Sequence, residues 1–199
     1  MKHIICFGDS ITRGENDRER GGWVDRLKSF YMEQFLYEKD NEVCVFNMGI
    51  GGETTVGLSN RFRQELDARL LEEETNLVTL GYGANDIALV GDKHQVSIEE
   101  YTANLAQCID YAHAKNARVF LLSIIPVITD LNTGKPRMRK DIILYNKLLQ
   151  RLAKEKNVTY VDLHSLFEAD TASYFTFDGV HPNAEGHSLI YEHLKSILV

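Results

Sequence analysis

Ser10 stands near one end of the 199-residue chain, while Asp178 and His181 stand three positions apart near the other. A serine hydroxyl is a weak nucleophile until a base takes its proton during attack, and a neutral imidazole does that work best near neutral pH. The imidazole in turn needs a group that holds its tautomer and steadies the imidazolium. An acid three residues earlier in a tight turn can fold back onto the other ring nitrogen. The stretch FDGVHPN, residues 177–183, has that form. Gly179 lets the backbone turn sharply, and Pro182 keeps a following helix from absorbing the histidine. Attack on an acyl carbonyl also builds negative charge on its oxygen, and each donor preorganised for that charge contributes on the order of 3 kcal/mol. The candidate donors are the Ser10 amide, the Gly52 amide and the Asn85 carboxamide, with Gly49, Gly51 and Gly52 permitting backbone angles that other residues resist.

Residues this far apart in sequence need a framework that brings them together. The apolar pattern switches repeatedly between short continuous runs and helical periodicity. HIICFG (3–8), VCVFNMG (43–49), LVTLGYG (77–83), RVFLLSI (118–124) and VTYVDLH (158–164) read as buried strands. Between them Trp23, Leu27, Phe30 and Tyr31 recur at helical spacing, as do Leu58, Phe62, Leu66 and Leu70, then Ile98, Tyr101, Leu105 and Ile109. Ser97 with Glu100 forms a capping box, and a last helix is expected from Asn183 through Leu194. Strands alternating with helices require crossover connections, which implies a parallel sheet covered on both faces, a three-layer α/β/α sandwich. Ligands in such sheets bind beyond the carboxyl ends of the strands. The segments that follow the strands are GDSITRG, GIGGETT, GYGANDI, the more apolar IIPVITD and finally FDGVHPN, so every candidate residue falls at one rim.

Composition narrows the classes of partner. At 44% hydrophobic content the chain can build one sizeable core, read as one domain over residues 1–199. A formal charge of −7 argues against sequence-independent binding of nucleic acid, which needs a basic stripe. No apolar run approaches membrane-spanning length, and the N-terminal apolar stretch before Asp9 is too short for a signal-peptide core. Cys6, Cys44 and Cys108 lie in apolar segments without metal-type spacing and are expected as buried free thiols, in keeping with a soluble, cytoplasmic protein.

The rim admits other readings. The GDSITRG loop could cradle a phosphate, and a non-catalytic ligand-binding module would need no more. Asp9, Asp86, Asp178 and His181 could hold a divalent metal for phosphoester cleavage, although no pair has a recognised ligand spacing, and Asp9 and Asp86 read more simply as braces for their own loops. The remaining histidines read as surface or structural, His164 standing nearest the rim. The basic run KPRMRK, residues 135–140, reads as a solvated loop and helix start, with contact to an anionic substrate as the alternative.

Taken together, FGDSIT, NMGIGGETT, GYGANDI and DGVHPN, in this order and at these separations, resemble the four sequence blocks of the SGNH hydrolases, also called the GDSL esterase/lipase family. The resemblance spans nearly the whole chain. It implies Ser10 as nucleophile, Gly52 and Asn85 as oxyanion donors, His181 as base and Asp178 as its partner, with no metal or cofactor. It also implies a flavodoxin-like five-stranded parallel sheet in the order 2-1-3-4-5. Ile11 replaces the leucine of the family's name-giving motif, a volume-conserving exchange. The Gly-x-Ser-x-Gly elbow of the α/β-hydrolases is absent. The expected substrate is a small-molecule ester, with short acyl groups on small or carbohydrate alcohols ahead of lysophospholipids and thioesters.

Overall fold

Strand β1, Lys2–Gly8, is an inner strand of the sheet in a computed structural model that describes residues 1–39, 41–131, 134–168 and 170–198. It pairs in parallel with β2, Val43–Gly49, on one side and β3, Thr75–Gly81, on the other. The hairpin strands β4, Leu89–Val90, and β5, Lys93–His94, stand apart from this sheet, which continues through β6, Arg118–Leu122, to β7, Thr159–Val161. Counting only the five strands of the main sheet, the order β2-β1-β3-β6-β7 is the expected 2-1-3-4-5.

Side chains of successive strand residues enter opposite layers, as the pleat requires. Ile5, Phe7, Val78, Leu80, Val119 and Leu121 pack with one cluster, whereas Ile4, Cys6, Leu77, Phe120 and Leu122 pack with the other. Helices α3, Thr55–Asp67, α4, Ile98–Ala114, and α5, Arg139–Lys156, send buried residues into the first. Helices α2, Trp23–Glu33, and α7, Ala184–Ile197, cover the second, together with the short α6, His164–Glu168. Ser97 caps α4 by accepting from the Glu100 amide at 3.2 Å, and Asn183 caps α7 by accepting from the Gly186 amide at 3.0 Å.

Some boundaries differ from the sequence reading. β3 ends at Gly81, so Tyr82 and Gly83 lie beyond the ladder, and the β4–β5 hairpin was not anticipated. β7 stops at Val161 because the Asp162 carboxylate accepts from the Ser165 amide and hydroxyl, which starts α6 at His164. The FDGVHPN segment therefore follows α6 and a 3₁₀ turn, Thr171–Tyr174, instead of following β7 directly. Cys6 and Cys108 are buried free thiols whose burial pushes both up to about 12, but Cys44 is only partly covered. Among the described residues no helix is long and apolar enough to cross a membrane.

Candidate active site

Three glycines lie side by side across the carboxyl edge of the sheet, because Gly8 pairs with Gly49 on β2 and with Gly81 on β3. The one-turn helix α1, Ser10–Arg13, rests on this floor: a Cβ on Gly8 would collide with the Thr12 side chain, and one on Gly49 with the Arg13 backbone. Asp9 sets the start of the turn by accepting from the Ile11 amide at 2.9 Å. Ser10 is thereby held just beyond the carboxyl end of β1.

Its hydroxyl meets His181, Oγ to Nε2, at 2.8 Å, although the two are 171 residues apart. On the far side of the ring, Nδ1 lies 2.7 Å from Asp178 Oδ2. Asp178 is oriented by its own loop, since Oδ1 accepts from the Val180 amide at 2.9 Å, the His181 amide at 3.0 Å and the Thr176 hydroxyl at 3.1 Å. The loop closes through Gly179, at φ +67°, and through the Thr176 amide, which donates to the His181 carbonyl. Partial burial opposes ionisation of Asp178, but the bonds from the His181 amide and ring and from the Val180 amide outweigh it and lower its pKa to about 2. A carboxylate so held can keep the proton of the ring on Nδ1 and leave Nε2 to accept one from Ser10.

Asn85 is tied to the two segments that carry the other candidate oxyanion donors. Asn85 Nδ2 donates to the Glu53 carbonyl at 3.0 Å and to Asp9 Oδ2 at 3.3 Å, which places the carboxamide beside the immediate neighbours of both Gly52 and Ser10. Gly52 adopts φ +75°, and an added Cβ there would meet nothing within 4 Å, so the backbone angle alone calls for glycine. Gly49 and Gly51 do not share that reason: among the described residues neither has a positive φ, and an added Cβ would collide with the Arg13 backbone at Gly49 but would only displace the exposed Arg13 guanidinium at Gly51. The Gly52 turn is braced by a half-buried network in which Arg61 grips the Glu53 carboxylate, at 2.6 Å for the shortest contact, while the Tyr82 hydroxyl donates to the same carboxylate at 2.6 Å.

Asp9 and Asp86 are the loop braces expected of them. Asp86 Oδ1 accepts from the Thr55 amide at 2.9 Å and hydroxyl at 2.6 Å, tying the third block to the start of α3. Burial pushes both carboxyls up to about 6, against the hydrogen bonds that each accepts. Among the described residues no group of three or more His, Cys, Asp or Glu side chains is arranged to hold a metal ion. His164 is structural, with its amide on Ser123 Oγ and its ring on the Ile124 carbonyl.

Two neighbours of the site escaped the sequence reading. Asn16, in the left-handed region at φ 67°, donates to Asp178 Oδ2 at 3.3 Å and to the Thr176 hydroxyl at 3.2 Å. Arg137, from the basic run read as solvated, is only 8% exposed and reaches the Asn85 carboxamide. An asparagine followed by an aspartate in a polar loop signals a turn at best. One arginine of KPRMRK carries no mark that separates it from its neighbours.

Comparison with known proteins identifies the family. The family model of the GDSL-like lipase/acylhydrolase family matches residues 6–189. The isoamyl acetate-hydrolyzing esterase 1 homolog of Homo sapiens is 26% identical across 98% of this chain and 80% of its own length. The acetylxylan esterase of Geobacillus stearothermophilus is 25% identical across 94% of this chain and 89% of its own. Among solved structures, the lipase/acylhydrolase from Enterococcus faecalis superposes with a TM-score of 0.76 at 24% identity, covering 100% of this chain and 95% of that one. The shared blocks, the shared fold and the match over most of the sequence make this chain a member of the GDSL-like lipase/acylhydrolase family, the SGNH hydrolases.

Proposed function

We propose that the chain is a serine ester hydrolase needing no cofactor, with Ser10, His181 and Asp178 as its catalytic residues and with the Ser10 amide, the Gly52 amide and Asn85 Nδ2 as its oxyanion donors. Ser10 Oγ attacks the acyl carbonyl while His181 Nε2 takes its proton, and the carbonyl oxygen becomes an oxyanion facing the three donors. Collapse breaks the bond to the alcohol, which leaves with the proton from Nε2. Water then attacks the acyl-Ser10 ester, giving its proton to Nε2, and the second collapse returns that proton to Ser10 and frees the acid. Asp178 remains ionised throughout and stabilises the imidazolium formed in each half-reaction. The observation that carries this reading is the unbroken relay of 2.8 Å and 2.7 Å from Ser10 through His181 to Asp178.

The substrates proposed are small molecules, short acyl esters of small or carbohydrate alcohols. Support comes from two relatives named for acetyl esters, one of isoamyl alcohol and one of xylan. The cleft on the His181 side is lined by Leu131, Lys135, Phe177 and Val180, with the Phe177 ring 85% exposed, a surface suited to the body of an alcohol. The test is turnover of p-nitrophenyl acetate by Ser10→Ala, expected to fall to background. Undiminished hydrolysis by the pure variant would reject the mechanism, and so would failure of a serine-directed phosphonate to label Ser10. A panel of acetylated sugars and acyl-chain lengths then tests the substrate class.

A further inference from the structure

The Asn85 carboxamide has two ends of nearly equal shape and opposite effect. Its NH₂ stabilises an oxyanion, whereas its carbonyl would repel one. Something must therefore hold the side chain one way round. On the Nδ2 side stand two acceptors, the Glu53 carbonyl and Asp9 Oδ2. On the Oδ1 side stands Arg137, whose Nη2 donates to Asn85 Oδ1 at 3.1 Å while its Nε donates to the Ala84 carbonyl. Its Nη1 donates to the Lys135 carbonyl at 3.0 Å, which folds the 135–137 segment on itself, and the Leu89 amide donates to the Pro136 carbonyl at 2.9 Å, which ties that segment to the start of β4.

We propose that Arg137 is a positioning residue of the oxyanion hole, one guanidinium that pins the Ala84 carbonyl and the Asn85 carboxamide oxygen together and so keeps Asn85 Nδ2 turned toward Asp9 and Glu53, the chain neighbours of Ser10 and Gly52. The inference rests on the role proposed above for Asn85. A flipped carboxamide would set NH₂ against guanidinium donors and oxygen against the Glu53 carbonyl and the Asp9 carboxylate, leaving buried groups unsatisfied at both ends. The planar fork matters as much as the charge, because one rigid group must meet two acceptors at fixed spacing. Burial lowers the pKa of Arg137, and the carboxylates of Asp9 and Asp178 oppose that effect, so the cation also sits within the field of the reacting centre.

A double-mutant cycle separates positioning through Asn85 from a general structural role. Steady-state hydrolysis of p-nitrophenyl acetate would be compared in the wild type, Asn85→Ala, Arg137→Met and the double variant. Loss of a single oxyanion donor costs about 10²- to 10³-fold in kcat, so Arg137→Met should cost about 10- to 100-fold in kcat with KM within about twofold. In the Asn85→Ala background the same substitution should cost less than about threefold. Equal losses in both backgrounds would overturn the inference, as would a wild-type kcat in Arg137→Lys, which keeps the charge and loses the fork. Should Arg137→Met not fold by thermal denaturation, Arg137→Lys carries the same cycle. Failure of the wild type to hydrolyse the ester would instead strike at the proposed function, which keeps the two outcomes apart.

Discussion

Asp178 shows how much a single side chain is asked to do at this site. Three donors from residues 176–181 fix one carboxylate oxygen, which aims the other at the His181 ring. Its folded pKa of about 2 lies below the ordinary value of 3.8, so its contribution to stability is complete above 3.8 and lost as pH falls through about 2. Asp178→Asn can keep the oxygen that receives the backbone amides, but it then turns an NH₂ toward Nδ1. The ring must respond by carrying its proton on Nε2, where it faces Ser10 and cannot accept. By analogy with triads in general, kcat should fall by about 10³- to 10⁴-fold with little change in KM. Steady-state kinetics on p-nitrophenyl acetate check this, and a wild-type kcat would remove Asp178 from the mechanism. The pairing of Asp178 with His181 was legible because their loop is local in sequence and carries its own chemistry. Arg137 was not, because its burial depends on where a distant loop, residues 82–89, happens to lie.

At the scale of elements, the connection from α1 to α2 matters most, because it carries Asn16 to Asp178. Asp17 anchors that connection: its carboxylate accepts from the amides of Glu19, Arg20 and Gly22 and pairs with Arg26 of α2 at 3.0 Å. Arg26 also donates to the Ala184 carbonyl at the start of α7, and one turn on, His187 Nε2 lies 3.2 Å from the Glu15 carbonyl. His187 is fully buried, and that burial lowers its pKa to about 4, with Asp17 opposing the shift and Arg26 and His181 adding to it. Folded His187 is thus neutral at pH 5 while the unfolded side chain, with an ordinary value of 6.5, has taken a proton. The unfolded state gains, and stability should fall by about 2 kcal/mol between pH 7.5 and pH 5 from this group alone. His187→Gln keeps a donor for Glu15 and removes the titration, so its urea-unfolding free energy should fall less over that interval than the wild type's. Equal slopes would mean that His187 titrates alike in both states. Sequence pattern placed α7 to within a turn at each end, yet it read this histidine as no different from the exposed ones, since packing within the fold decides that it is buried.

Across the whole molecule, stability and chemistry occupy different places. The sheet order was implied by the family resemblance alone, whereas the strands were legible from continuous apolar runs and the helices from their stripes, which implied a parallel sandwich. The β4–β5 hairpin was not, since each of its strands has only two residues and no periodicity to display. The alternation of side chains along the strands of the main sheet divides the core into two clusters on its opposite faces, while the candidate residues stand at its carboxyl edge. Leu66 of α3 belongs to one cluster and Leu27 of α2 to the other, both with no exposed surface. Truncating either to alanine removes buried methyl groups and opens a cavity, at a cost of about 2–5 kcal/mol. Because the sheet lies between them, the two share no cluster, and the double variant should show the sum of the single costs to within about 0.5 kcal/mol. Neither leucine touches the Ser10 relay, so kcat per folded molecule should stay at the wild-type value at temperatures below the unfolding transition. Urea titrations of the four proteins, with active sites counted by phosphonate labelling, measure both quantities. A coupling above about 1 kcal/mol would show that strain passes through the sheet from one layer to the other. A lowered kcat in either single variant would show that the glycine floor under Ser10 depends on the packing beneath it.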